Sequence, residues 1–336
     1  MTRMESPKIA VIITCWNYET YVATAIRSVL SQGRDDCELV VIDDGSTDSS
    51  WDIIQSEGVT AYRIENGGQR AAGLYGLERT QAPFVLFLDA DDELAPGSLA
   101  TIISRLDSDV AKLQFSLTRI NDRGEVTSAA TPLKEFRERE ALADLVLRTG
   151  VYTTPPTSGN VFRRDLCEHL RDMTYDRAVD GVILFAAPFM GDVVSLSDEL
   201  GRYRVHGRNI SGLGRAVDPA SLRGELNRFV QRMSHLRRIL AQYGRADELV
   251  QPERAYFYLE RSFYLAIAEG RRPPIRRLLE LLRQLWREAY PMKTKATVAA
   301  FWLLTMVLPN RRARGGLAYR LNGGKRSTLG MIQSLL

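Results

Sequence analysis

The sequence predicts an α/β fold, a mostly parallel sheet covered by helices and followed by a helical C-terminal region. Three observations carry this reading. Short apolar runs of strand length alternate with segments of helical period, two of those runs end directly on acidic clusters, and beyond about residue 215 the pattern turns helical and basic. Strands that alternate with helices pair in parallel. In such sheets a ligand sits outside the carboxyl ends of the strands.

Ile9-Ala10-Val11-Ile12-Ile13 is a compact apolar run, as a strand buried on both faces requires. Tyr21 to Gln32 reads as a helix, with Val22, Ala25, Ile26, Val29 and Leu30 on one side. Leu39-Val40-Val41-Ile42 is the second strand; the turn Asp43-Asp44-Gly45-Ser46-Thr47-Asp48 supplies side chains that cap a helix starting near Ser49. Phe84-Val85-Leu86-Phe87-Leu88 is a third strand and runs straight into Asp89-Ala90-Asp91-Asp92. Thr14 to Asn17, Asp43-Asp44 and Asp89 to Asp92 therefore all fall at strand C-termini and converge on one crevice. Further along, a helix is expected over Arg137 to Leu147, a turn-rich passage over Thr153 to Asn160 that lines the crevice, and a strand at Val193 to Leu196.

The chain of 336 residues has a net charge of +4 that hides two unlike parts. Residues 1–201 hold 19 Lys+Arg against 32 Asp+Glu, whereas residues 202–336 hold 26 against 9. A basic tail region implies anionic partners. Cys15, Cys37 and Cys167 are far apart and have no metal-ligand spacing, which points to a reducing compartment and to small buried apolar roles. No leader is expected from the polar first residues, and the longest apolar run, Ala296 to Leu308, is shorter than a membrane-spanning helix requires.

A lone Asp-x-Asp is common in surface loops, but Asp89 and Asp91 have company. Ile9 to Gln32, Leu39 to Asp48 and Phe84 to Leu94 stand in order at suitable intervals, with Asn66-Gly67-Gly68-Gln69 before a helix. This set closely resembles family 2 glycosyltransferases of the GT-A fold, over residues 8 to about 212. The resemblance implies an inverting transferase that moves a sugar from a nucleotide-diphosphate-sugar, UDP-sugar first among them, to a hydroxyl of a glycan or lipid-linked acceptor in surface-polymer synthesis. It divides the chain into a catalytic domain at 1–214 and a basic helical region at 215–336. By matched position, Thr14, Trp16, Asp44, Asp89 and Arg70 bind the nucleotide, and Asp91, Asp89 and His206 hold Mn²⁺ or Mg²⁺. Arg204, in Arg204-Val205-His206, stabilises the leaving group. Asp43 is a buried partner of loop amides, and Asp92 supports its loop. The family's base, often a Glu-Asp pair opening a helix, corresponds to Val179-Asp180, so Asp180 is the base and Asp176 its rival. Many relatives have Arg where this chain has Gly73.

Hard oxygen ligands suit these cations, which take one or two carboxylates together with substrate phosphates. In the tail, Ile275 to Arg287 is amphipathic, and apolar Ala299 to Leu308 runs into Arg311-Arg312-Ala313-Arg314. This pattern predicts either helices lying on the cytoplasmic face of a membrane or a helical domain with solvated arginines; no nucleic-acid motif accompanies the charge. Two other readings are a sugar-nucleotide pyrophosphorylase, whose Gly-rich loop and basic residue Thr14 to Asn17 lacks, and an inactive membrane-bound scaffold.

Overall fold

Ile9–Cys15 (β1) is buried along its whole length because strands flank it on both sides. Our structure, a computed structural model, describes residues 6–130, 133–207, 218–288 and 290–321. The expected boundary near residue 214 lies outside them. Val22–Leu30 (α1) follows β1, burying Val22, Ala25, Ile26 and Val29, while Leu30 is exposed. Cys37–Asp43 (β2), Ser50–Ser56 (α2), Ala61–Arg63 (β3), Gln69–Leu77 (α3) and Phe84–Asp89 (β4) continue the alternation. Ser49 at the N-cap of α2 makes no side-chain capping bond; instead the carboxylate of Asp48, one residue earlier, accepts the Ser50 amide at 3.0 Å.

The α3 helix packs closely on the sheet, at Ile12 and Phe87, and on Val179. A β-carbon at Gly76 would meet Ile12 Cγ2 at 2.4 Å, and one at Gly73 would meet Val179 Cγ2 at 2.4 Å. Two mid-helix glycines cost helix stability, and the close approach is what they permit.

The remaining strands are Glu93–Leu94 (β5), Val110–Ile120 (β6), Val126–Ser128 (β7), Phe136–Glu138 (β8), Asn160–Arg163 (β9) and Asp192–Arg204 (β10). The sheet order is β3-β2-β1-β4-β9-β6-β10-β5, with β7 beside β6 and β8 beside β10. The first four strands are parallel, as expected. However, β9 is antiparallel to both β4 and β6, so the sheet is mixed. The reason is local: the turn at Thr157–Gly159 sits by the end of β4, and β9 must start there and run back.

Ser98–Ile103 (α4), Glu140–Thr149 (α5), Arg164–Cys167 (α6) and Ile183–Met190 (α7) complete this part. The helix expected from Arg137 begins at Glu140 instead. Arg137 lies in β8, where ion pairs to Asp107 at 2.7 Å and Asp192 at 2.6 Å fix it at the sheet edge. The apolar run Val193 to Leu196 and the segment through Arg204 form one strand, β10, with a register shift between Ser195 and Glu199 where three residues face solvent.

The chain divides into two units. One comprises the residues up to Val146, Val151–Gly207 and His235–Ala246; the other comprises Leu147–Gly150, 218–234 and the residues from Asp247. The second contains most of Pro219–Ala241 (α8) together with Tyr256–Ala268 (α9), Ile275–Leu285 (α10), Met292–Val307 (α11) and Asn310–Leu321 (α12). It has a core of its own, in which Phe263, Leu281, Leu285 and Trp302 are buried. No helix of the described residues is long and apolar enough to cross a membrane.

Candidate functional site

Register puts the polar strand ends side by side. Thr14 aligns with Asp89 on one side, and Cys15 aligns with Asp43 on the other. The turn after β1 is bonded to the turn after β2. Asn17, at φ 58°, has its amide on Ser46 Oγ at 2.9 Å and its side-chain oxygen on the Thr47 amide at 2.7 Å. Asparagine tolerates this left-handed conformation. Trp16, just before it, is exposed beside the crevice.

Asp44 is buried, and each of its carboxylate oxygens accepts an amide hydrogen, from Gly67 and Gly68, both at 2.8 Å. Burial pushes its pKa up against the pull of these two amides. Asp43 is fully buried, with Oδ2 against Arg63 at 3.1 Å and accepting the Ser46 amide at 3.3 Å.

Asp89, Asp91 and Asp92 each present a carboxylate oxygen within 4.8 Å of the others. Gln69 donates to Asp89 Oδ1, and the Asp89 amide donates to Ser158 Oγ at 3.1 Å. The Asp92 Oδ1 accepts the Arg204 amide at 2.9 Å, whereas its Oδ2 is buried without a hydrogen-bond partner. Loss of water, then the charges of Asp91 and Asp180, raises the pKa of Asp89 well above the carboxylate range. Burial, then Asp91 and Asp89, does the same to Asp92. The imidazole of His206 meets Asp91 Oδ2 at 2.9 Å and is held by the rings of Tyr21 and Tyr18 at 5.3 and 5.8 Å. A divalent cation fits this donor set: hard oxygens that repel one another, one of them unbonded, with an imidazole nitrogen already against the central carboxylate.

Arg204 directs its side chain at the same acidic loop. Its guanidinium is buried and committed to protein acceptors: Asp91 O at 2.8 Å, Asn121 O at 2.9 Å and the Glu93 carboxylate, with Tyr21 beneath it at 4.7 Å. These contacts brace the acidic loop. Arg70 likewise directs its Nη1 to Leu170 O at 3.3 Å, and its Nε is buried without a hydrogen-bond partner.

Asp180 accepts from Thr157 Oγ1 at 2.9 Å and from the Gly181 amide at 2.8 Å; loss of water raises its pKa. The passage Thr153 to Asn160 therefore touches both Asp180, through Thr157, and Asp89, through Ser158. Asp176 accepts only a 3.3 Å contact from the Ala178 amide among the hydrogen bonds of the described residues. One segment meets several parts of the site: the side chain of Asn66 and the amides of Gly67 and Gly68 bind Asp44, Gln69 binds Asp89, and the Arg70 amide donates to Arg177 O at 2.8 Å.

The sequence offers Gln69 only as part of a motif and Thr157 and Ser158 only within a crevice-lining passage, and it gives no role to Tyr18 or Tyr21, which carry no motif of their own. It assigns none to Lys112 either, which is fully buried on β6 and donates to Gln114 Oε1 at 2.7 Å and Tyr152 Oη at 3.3 Å. Burial pushes its amine well below the lysine range, and the charge of Asp180 opposes that. A lysine between Ala111 and Leu113, in a stretch that also holds Val110, Phe115 and Leu117, is its visible signal.

Residues 10–171 match the model for glycosyl transferase family 2. An uncharacterised glycosyltransferase of Nostoc sp. is 35% identical over 213 residues, 60% of this chain and 66% of that protein. The GalNAc(5)-diNAcBac-PP-undecaprenol beta-1,3-glucosyltransferase of Campylobacter jejuni is 28% identical over 175 residues, 49% of this chain and 54% of that protein. The chain thus spans just under two thirds of the first relative and about half of the second. Among solved structures, S. aureus TarS 1-349 in complex with UDP-GlcNAc superposes with a TM-score of 0.55 at 18% identity, covering 98% of this chain and 89% of that one. That likeness is one of fold, and it is the expected GT-A fold.

Proposed function

Since the chain belongs to glycosyltransferase family 2, we propose that it transfers a sugar with inversion from a nucleoside-diphosphate-sugar, UDP-sugar foremost, to a hydroxyl of a glycan or lipid-linked acceptor for a surface polymer, working on the cytoplasmic side. The family match displaces the pyrophosphorylase reading. The observation that carries the proposal is the Asp89-Asp91-Asp92 cluster, one strand from Thr14 and linked through Thr157-Ser158 to Asp180.

Trp16 packs on the base or ribose, Thr14 lines the same end, and Asp44 faces the base while fixing the Gly67-Gly68 turn. Asp91, Asp89 and His206 would hold Mn²⁺ or Mg²⁺. When bound, that cation neutralises charge on the departing diphosphate. Asp180, the base, takes the acceptor proton as the hydroxyl oxygen forms its bond to the anomeric carbon. The bond to the diphosphate breaks on the opposite face, and the diphosphate leaves with the electron pair. Thr157 and the Gly181 amide aim the carboxylate, which leaves Asp176 a turn-capping role. Arg204 serves by positioning Asp91.

The test is donor turnover with a panel of nucleotide-sugars and Mn²⁺. Asp180→Asn is expected to lower kcat by about 10²–10⁴ while leaving donor binding intact. Asp91→Ala is expected to abolish cation-dependent turnover. Full turnover in Asp91→Ala would overturn the cation assignment, and inactivity of the wild type toward every donor would favour the scaffold reading.

A further inference from the structure

The leucine row that makes α10 look amphipathic in sequence is not available to a membrane. Leu278, Leu281 and Leu285 are buried in the core of the second unit with Phe301 and Trp302 of α11. A different row is left outside. Ile275, 67% exposed, is followed at intervals of four, three and four residues by Leu279, half-buried Leu282 and Trp286. These intervals keep one stripe along a helix. The neighbouring stripe carries exposed Arg276, Arg283 and Arg287; its one acid, Glu280, is met by Arg277 at 3.9 Å.

The next helix repeats the pattern. On α11, Met292, Ala296, Ala300, Leu303 and Val307 are exposed at intervals of four, four, three and four residues, and Val307 reaches 72%. No charged residue interrupts that stripe. Lys293 stands exposed at one end, and Arg311 and Arg312 stand exposed just beyond the other. Lys295 links the two helices, donating to Trp286 O at 3.0 Å. Across residues 271–320 there are 12 Lys+Arg and 2 Asp+Glu.

Large apolar side chains exposed in rows, each bordered by cations, match an interface with an apolar interior and an anionic surface. We propose that the second unit docks on anionic lipid membranes through the exposed stripes of α10 and α11, with Ile275, Leu279, Trp286, Leu303 and Val307 entering the acyl boundary. Arg276, Arg283, Arg287, Arg311 and Arg312 then lie at headgroup phosphates. This docking is independent of the sugar-transfer reading, because it is measured without donor or turnover.

The full chain is floated with vesicles of phosphatidylcholine alone or with one third phosphatidylglycerol, at low and high salt. The expected result is binding to the anionic vesicles that weakens with salt, and little binding to phosphatidylcholine. Leu279→Ser combined with Val307→Ser, both at exposed positions, is expected to keep the wild-type melting temperature and lose binding by about tenfold or more. Arg276→Glu with Arg283→Glu is expected to remove the preference for anionic lipid. Three outcomes would overturn the proposal: no flotation at low salt, binding indifferent to both variants, or a dimer dissolved by the serine variant in a chain that binds no vesicle.

Discussion

Asp180, proposed above as the base, is a carboxylate whose pKa is raised by loss of water and only partly restored by Thr157 and the Gly181 amide. A base works deprotonated, so turnover is expected to fall as pH drops through a value above the ordinary aspartate figure of about 3.9. The measurement is kcat against pH at saturating donor and cation. A limb at the unshifted value, or one that persists unchanged in Asp180→Asn, would move the role elsewhere. The family resemblance implies an arginine where this chain has Gly73 and a glutamate where it has Val179; here a methyl of Val179 lies 2.4 Å from where a Gly73 β-carbon would stand. An apolar fit stands where the resemblance implies polar groups. The sequence displayed both substitutions but not their contact, because that contact joins residues about a hundred positions apart.

Elements show why some of the site was legible and some was not. The parallel strands β1, β2 and β4 were readable because continuous apolar runs have few other uses, and their register delivers Thr14, Asp43 and Asp89 to one edge. By contrast, β9 is four residues long and takes its direction from the turn at Thr157, and β8 is held by ion pairs of Arg137; neither leaves a periodic signal. The fate of α10 was hidden for another reason: burial and lipid contact ask for the same leucines. The helix α3 carries a prediction. Gly73→Ala adds a methyl 2.4 Å from Val179 Cγ2 and 3.3 Å from Phe87 Cε1, so gains in helix propensity are outweighed. Denaturant unfolding is expected to show a loss of about 1–3 kcal/mol, and an unchanged or higher stability would mean that α3 can move away from the sheet freely.

Over the whole molecule, charge is sorted by position, with acidity in residues 1–201 and basicity in residues 202–336. The acidic part contains Asp89 and Asp92, which hold protons more tightly folded than unfolded because burial and mutual charge disfavour ionisation. Linkage then makes their contribution to stability full below the unfolded pKa, and it is lost as pH rises through the folded values. A bound cation reverses the loss. Mn²⁺ at a hundredfold excess over Kd is expected to stabilise the chain by about 2.7 kcal/mol near neutral pH, a shift of several degrees in Tm. Near pH 5 protons compete and the shift shrinks. No Tm response at neutral pH would contradict the cation site.

The segment Asn66 to Arg70 is bonded at one end to Asp44, in the middle to Asp89, and at the other end to the backbone of Arg177, three residues before Asp180. If the proposed nucleotide end is filled, this segment is expected to stiffen, and with it the tether of the loop that carries Asp180. The expected kinetic outcome is a compulsory order, donor before acceptor, with the released nucleoside diphosphate competitive against donor and noncompetitive against acceptor. Product-inhibition patterns of random order would show that the tether transmits nothing.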